Sequence, residues 1–142
     1  MRPKSTGRSI LALLAGFITV VVLSLGTDEA LRVGIVPPLG RLTSNVLFAL
    51  ATAYRIVYNI AGSYLVARLA PNRPMQHALI SGLVGLVLSI AGAIATWNEG
   101  PGFGPKWYPL ALVVTAMPCA WAGAKLFEAT AQKAPANVPS ER

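Results

Sequence analysis

The chain has 142 residues, of which 54% are hydrophobic and only 12% are charged, with a mean hydropathy of +0.58 and a formal net charge of +7. Soluble domains contain about 25% charged residues, so a water-soluble fold of this length could not hide so much apolar surface. A single cysteine, Cys119, excludes an intrachain disulfide and a CxxC redox pair, and one cysteine with one histidine cannot build a structural zinc site.

Four apolar stretches approach the ~20 residues that a helix needs to cross a bilayer. They predict an all-α membrane protein, an antiparallel bundle of four transmembrane helices at about residues 9–28, 45–68, 75–97 and 108–126. One transmembrane domain over residues 1–133 accounts for the four helices. Residues 134–142 have the composition of a linker and predict a flexible cytoplasmic tail.

The first helix has two interpretations. Basic residues at Arg2, Lys4 and Arg8 before an apolar run are typical of a signal peptide, and Ser24-Leu25-Gly26 has the small residues of a cleavage site. The same pattern is typical of an uncleaved first transmembrane helix, which is the interpretation that we favour.

The placement of lysine and arginine predicts the orientation of the helices. Eight basic residues fall in the N-terminus, the second loop and the C-terminus: Arg2, Lys4, Arg8, Arg68, Arg73, Lys125, Lys133 and Arg142. Three fall in the first and third loops: Arg32, Arg41 and Lys106. Because cytoplasmic loops carry the excess of positive charge, both termini are predicted to be cytoplasmic. We assign these charges to topology and anionic lipid, and expect no nucleic-acid partner.

The loops fit four spans. Residues 68–75 contain Pro71 and Pro74, which predict a tight turn between antiparallel helices. The first loop, about residues 27–45, is expected to extend the first helix and then become irregular. The third loop, about residues 97–109, is rich in glycine and proline and is flanked by Trp97 and Trp107, typical anchors at a membrane interface.

Arg55 lies near the middle of the second predicted helix, where an arginine costs at least ~2.5–3.5 kcal/mol and normally has a partner inside the protein. Helical spacing places Asn59 on the same face, with Tyr58 beside it. The nearest candidate carboxylates are Asp28 and Glu29 at the outer end of the first helix. We predict an ion pair between Arg55 and one of them. It either locks the first two helices together or forms an anion or headgroup site.

Small residues recur every four positions on the third helix, at Ser81, Gly85, Ser89 and Ala93. Such spacing lets helix backbones approach closely, either within the chain or across a dimer. Pro118 is expected to kink the fourth helix, because it removes a backbone hydrogen bond. His77 has the position of a polar residue at a helix start, and a cofactor or proton-relay role is the alternative.

Several segments carry a family resemblance: TDEALRVGIVPP, AYRIVY, ARLAPNRPMQHAL, GPKWYPLALV and MPCAW. With these segments the chain resembles small bacterial inner-membrane proteins of four spans, over most of its length beyond the first helix. The resemblance implies a four-span fold in the bacterial inner membrane and implies no activity.

Three function classes remain. The first is an accessory subunit that packs against a larger membrane protein complex or its own copies. The second is a small oligomeric transporter or channel that uses the polar stripe of the second helix formed by Arg55, Asn59 and Tyr58. The third, an enzyme, is disfavoured because the sequence shows no acid–base or nucleophile set. No cofactor and no metal is predicted, and lipid, quinone or pigment between the helices stays open.

Overall fold

The computed structural model describes residues 3–32, 44–99 and 104–133. These residues form four α-helices and no strand: α1 (Pro3–Arg32), α2 (Ser44–Leu69), α3 (Pro74–Thr96) and α4 (Trp107–Gln132). Each helix is long and apolar enough to cross a membrane. The all-helical prediction is therefore confirmed for the described part of the chain. The part of the first loop that was predicted to be irregular, the centre of the third loop and the tail from residue 134 lie outside the described residues.

The helices continue past the apolar stretches that predict them. α1 begins at Pro3, whose missing N–H suits a first helical turn, and ends at Arg32. Its 30 residues correspond to about 45 Å, more than the ~30 Å of a hydrocarbon core. α4 likewise runs on to Gln132 and passes through Pro118 without a break in the helix. Asp28 consequently lies inside α1, one turn before its end.

Threonine hydroxyls inside the helices use the backbone of their own helix. Thr19, Thr27, Thr52 and Thr96 each donate to the carbonyl oxygen four residues earlier, over 2.7–2.8 Å. Thr115 does the same with Ala111. Such bonds satisfy a hydroxyl group without water, as an apolar surrounding requires.

Pairs of contacting residues define the directions of the helices. Moving from Gly16 to Asp28 along α1, the α2 partners move backwards from Gly62 to Arg55, so α1 and α2 are antiparallel. Gly82 of α3 lies against Ala120 of α4, and a buried alanine cluster joins Ala67, Ala78 and Ala124 of α2, α3 and α4. Met75 and Phe127 pack on this cluster.

Glycines permit the closest approach of α1 and α2. A Cβ atom added to Gly16 would lie 2.9 Å from the carbonyl oxygen of Gly62, and one added to Gly62 would lie 3.2 Å from the carbonyl oxygen of Gly16. Only residues without a side chain allow the backbones to come this near. α1 is therefore attached chiefly to α2.

Most of the small-residue ridge of α3 lies beside the surface that contacts α4. Gly82 and Ala78 lie on the packed side of α3, and of the ridge residues Ala93 is buried. Ser81, Gly85 and Ser89 are half-buried, and a Cβ atom added to Gly85 would meet nothing within 4 Å. Gly85 therefore makes no close contact with another helix of the described residues. Helical periodicity identified the face of α3 that carries Gly85, but α4 covers the adjacent face that carries Gly82.

We expect Gly16→Ala to destabilise the protein by about 1–3 kcal/mol, because the new methyl group overlaps the α2 backbone. Gly26→Ala on the same helix is the matched control, since a Cβ atom there meets nothing within 4 Å. Thermal unfolding of the two purified variants in detergent would measure the difference. Equal melting temperatures would contradict the close approach of α1 and α2.

Candidate functional site

The centre of the candidate site is an ion pair between α1 and α2. Arg55 Nη2 donates to Asp28 Oδ2 over 2.6 Å, and the hydroxyl of Tyr54 donates to Oδ1 of the same carboxylate. The Arg55 and Asp28 side chains are 26% and 37% exposed. The structure thus contains an ion pair of the predicted kind, and of the two candidate carboxylates Asp28 accepts this bond. Glu29 follows it in α1.

The other two predicted residues join this network by their own bonds. The hydroxyl of Tyr58 lies 2.7 Å from Thr27 Oγ1, one residue before Asp28. Asn59 Nδ2 donates to the backbone carbonyl of Arg55 over 2.8 Å, and therefore holds α2 rather than the guanidinium group. Asp28, Arg55, Tyr58 and Asn59 consequently lie together where α1 crosses α2.

One aromatic ring lies against the guanidinium group, and further rings pack nearby. The guanidinium carbon lies 5.7 Å from the centre of the Tyr108 ring at the start of α4, close enough for a cation–π attraction. Phe48 packs on Tyr108 with 4.9 Å between ring centres, and Tyr54 packs on Tyr58 with 5.6 Å. The sequence analysis missed Tyr54 and Tyr108 as partners. Tyr54 is adjacent to Arg55 in the chain, a signal that was available, whereas the contact with Tyr108 depends on how α4 packs.

Asp28 uses only part of the hydrogen-bonding capacity of Arg55. A guanidinium group has five N–H donors, and the described bond to Asp28 uses one. The Nε atom is buried and has no hydrogen-bond partner among the described residues. Unmet donors are costly in an apolar surrounding, so the position favours a further acceptor near Arg55.

A groove of about 730 Å³ opens beside the ion pair, between α1 and α3. It exists because α1 packs on α2 and has little contact with α3. All four helices line the groove. Near the start of α4 its lining includes two charged residues and two other polar residues: Asp28, Arg55, Thr96 and Tyr108. The ridge residues Ser81, Gly85 and Ser89 form part of the α3 wall.

A second polar contact joins α1 and α3 at the end of the bundle where both helices begin. His77 Nε2, at the start of α3, lies 2.8 Å from Ser9 Oγ near the start of α1. His77 Nδ1 lies 3.2 Å from the carbonyl oxygen of Arg73. Both ring nitrogens thus have partners in the structure, which supports the interpretation of His77 as a polar residue at a helix start.

Pro118 and Cys119 lie away from the groove. Pro118 is exposed within α4, and its predicted effect on the helix direction stays a prediction. Cys119 is buried at 5% exposure, as a small apolar residue would be. No group of three histidine, cysteine, aspartate or glutamate residues that could hold a metal ion occurs within residues 3–32, 44–99 and 104–133.

Comparison of the chain with protein-family models, with curated proteins and with solved structures gave no match.

We expect Asp28→Arg or Arg55→Asp alone to destabilise the protein by about 1–3 kcal/mol, between the values for exposed and buried pairs, because each leaves a like charge opposite its partner. The double exchange should recover most of this loss. Unfolding of the three variants in detergent would measure it. If the double variant were as unstable as the sum of the single ones, the pair would not join α1 to α2.

Proposed function

We propose that the chain is a multi-pass protein of the bacterial inner membrane, with an antiparallel transmembrane bundle and both termini in the cytoplasm. Large apolar side chains are exposed on every helix, including Ile18, Val57, Val87 and Val114. Such surface favours lipid over water as the surrounding medium. The imbalance of eight basic residues against three supports the orientation.

Single cysteines test the orientation, because the one native cysteine is buried. Asn98 and Asn72 are exposed at the ends of the two loops that flank α3. In intact spheroplasts, a membrane-impermeant maleimide should label Asn98→Cys and leave Asn72→Cys unlabelled until the membrane is opened. The reverse labelling order would invert the topology.

We further propose that the chain is a non-catalytic accessory subunit that packs against a larger membrane protein or further copies of itself. The observation that carries the proposal is an exposed apolar seam on α3, with side chains spaced by four, three and four residues: Leu83, Val87, Ile90 and Ile94, at 53%, 58%, 42% and 73% exposure. This spacing suits side-chain packing against a second helix at a small crossing angle. The seam faces away from the groove, so a partner there would leave the groove open.

A photo-crosslinking residue at Val87 tests the seam in living cells. We expect a discrete protein adduct from Val87, because this position lies at the centre of the seam. Val114 on α4 is the matched control, since it is 71% exposed and lies outside the seam. Lipid adducts alone at both positions would argue against the accessory role.

A small oligomeric transporter or channel is the second candidate. The specific observation in its favour is that Arg55 and Asn59 both line the groove. Solute flux in liposomes, measured with the Arg55 variants described above and with Arg55→Lys, separates the candidates. A transporter needs the planar guanidinium at its site, whereas an accessory subunit needs only a stable bundle.

A further inference from the structure

The dimensions of the groove restrict what can occupy it. Its α1 wall extends from Leu13 to Asp28, which is sixteen residues and about 22 Å of helix. Its volume of about 730 Å³ falls within the ~300–1,000 Å³ range of small-molecule sites.

The lining changes along the groove from apolar to polar. Leu13, Phe17 and Val20 of α1 face the groove along most of its length. Opposite them, Gly85 and Gly92 of α3 leave open space where side chains would otherwise project. The charged groups, Asp28 and Arg55, lie together at one end, whereas the polar lining elsewhere consists of uncharged side chains such as Ser63, Ser81 and Ser89. An occupant that matches this lining has a long hydrocarbon body and a single polar end.

The polar end favours a neutral acceptor. Asp28 already balances the charge of Arg55, so the site gains little from a second anion. The partly exposed guanidinium group, however, has four N–H donors on its two Nη atoms, and the described bond to Asp28 uses one of them. A carbonyl oxygen accepts such a bond without bringing a charge into an apolar surrounding.

We propose that the groove between α1 and α3 binds one glycerolipid, with an acyl chain along Leu13–Val20 and Gly85–Gly92 and an ester carbonyl oxygen accepting a hydrogen bond from Arg55. The inference rests on the membrane location proposed above and does not depend on the accessory role. The lateral opening of the groove toward the surrounding medium gives a lipid direct access. The bond to Arg55 distinguishes this lipid from those that only surround the bundle.

Native mass spectrometry of the full chain, released from nanodiscs, tests the proposal. The probes are two phosphocholine lipids of equal chain length, one a diester and one a dialkyl ether that lacks the carbonyl groups. We expect one diester lipid per chain to survive release. Retention of the ether lipid should be about five- to tenfold lower, the loss that one hydrogen bond accounts for.

Two variants test the location. Gly85→Leu places a side chain in the groove where nothing lies within 4 Å of the added Cβ atom, so it should reduce diester retention at least as much as the ether substitution does. Gly26→Leu on α1 also meets open space, lies outside the groove lining and should retain the diester lipid as the natural chain does. Thermal unfolding of both variants verifies that they remain folded.

Three outcomes would overturn the proposal. Equal retention of ester and ether lipids would show that the carbonyl oxygen is not bound. Undiminished retention by Gly85→Leu would place the lipid elsewhere. A quinone or a second copy of the chain retained in place of the lipid would identify a different occupant. The crosslinking result at Val87 is independent of all three, so failure here and failure of the accessory role are distinguishable.

Discussion

Arg55 lies in the middle of α2, beside the last turns of α1 and the first turn of α4, and its partly buried charge needs a partner there. Asp28 is that partner, and Tyr54 donates to the same carboxylate so that both of its oxygens accept a hydrogen bond. The pair lies on two different helices. The bond to Asp28 therefore requires α1 to lie beside α2. The close contact of Gly16 with Gly62, nearer the start of α1, holds the same two helices together.

The same requirement explains the length of α1. Apolar residues alone would end this helix near Gly26, but the helix continues to Arg32. The additional turn places Thr27 and Asp28 at the level of Tyr58 and Arg55, where both form bonds across to α2. Hydropathy alone would assign the polar end of α1 to a loop. Its bonds to α2 show that this end is part of the packed helix.

The sequence predicted what depends on local pattern. Hydropathy and proline placement predicted four helices, because residues that end a helix separate each apolar stretch from the next. The partner of Arg55 was predicted to be Asp28 or Glu29, because these are the nearest carboxylates at the outer end of the first helix, and the structure shows the bond to Asp28. These inferences needed no knowledge of how the helices pack.

The sequence could not predict what depends on which helices are neighbours. Ser81, Gly85 and Ser89 share a face of α3 by spacing alone, but the pattern does not reveal that α4 covers Gly82 instead. The contact of Tyr108 with Arg55 likewise depends on where α4 begins beside α2. The groove is a consequence of the weak contact between α1 and α3, and no residue pattern within either helix encodes that weakness.

α2 and α4 form the centre of the bundle. They pack on each other as extensively as α3 packs on α4, and Gly123 permits their approach, since a Cβ atom there would lie 2.8 Å from the backbone nitrogen of Tyr64. α3 packs on α4 through Gly82 and Ala120, whereas α1 packs chiefly on α2 through Gly16 and Gly62.

This arrangement explains why the groove lies between α1 and α3. α1 is held to the bundle chiefly by α2, through the contact of Gly16 with Gly62 and the ion pair of Asp28 with Arg55, and it has little contact with α3. The bond between Ser9 and His77 joins α1 to α3 at one end, so the space beyond that bond stays open. A partner on the α3 seam would contact the opposite side of α3 and would leave the groove accessible.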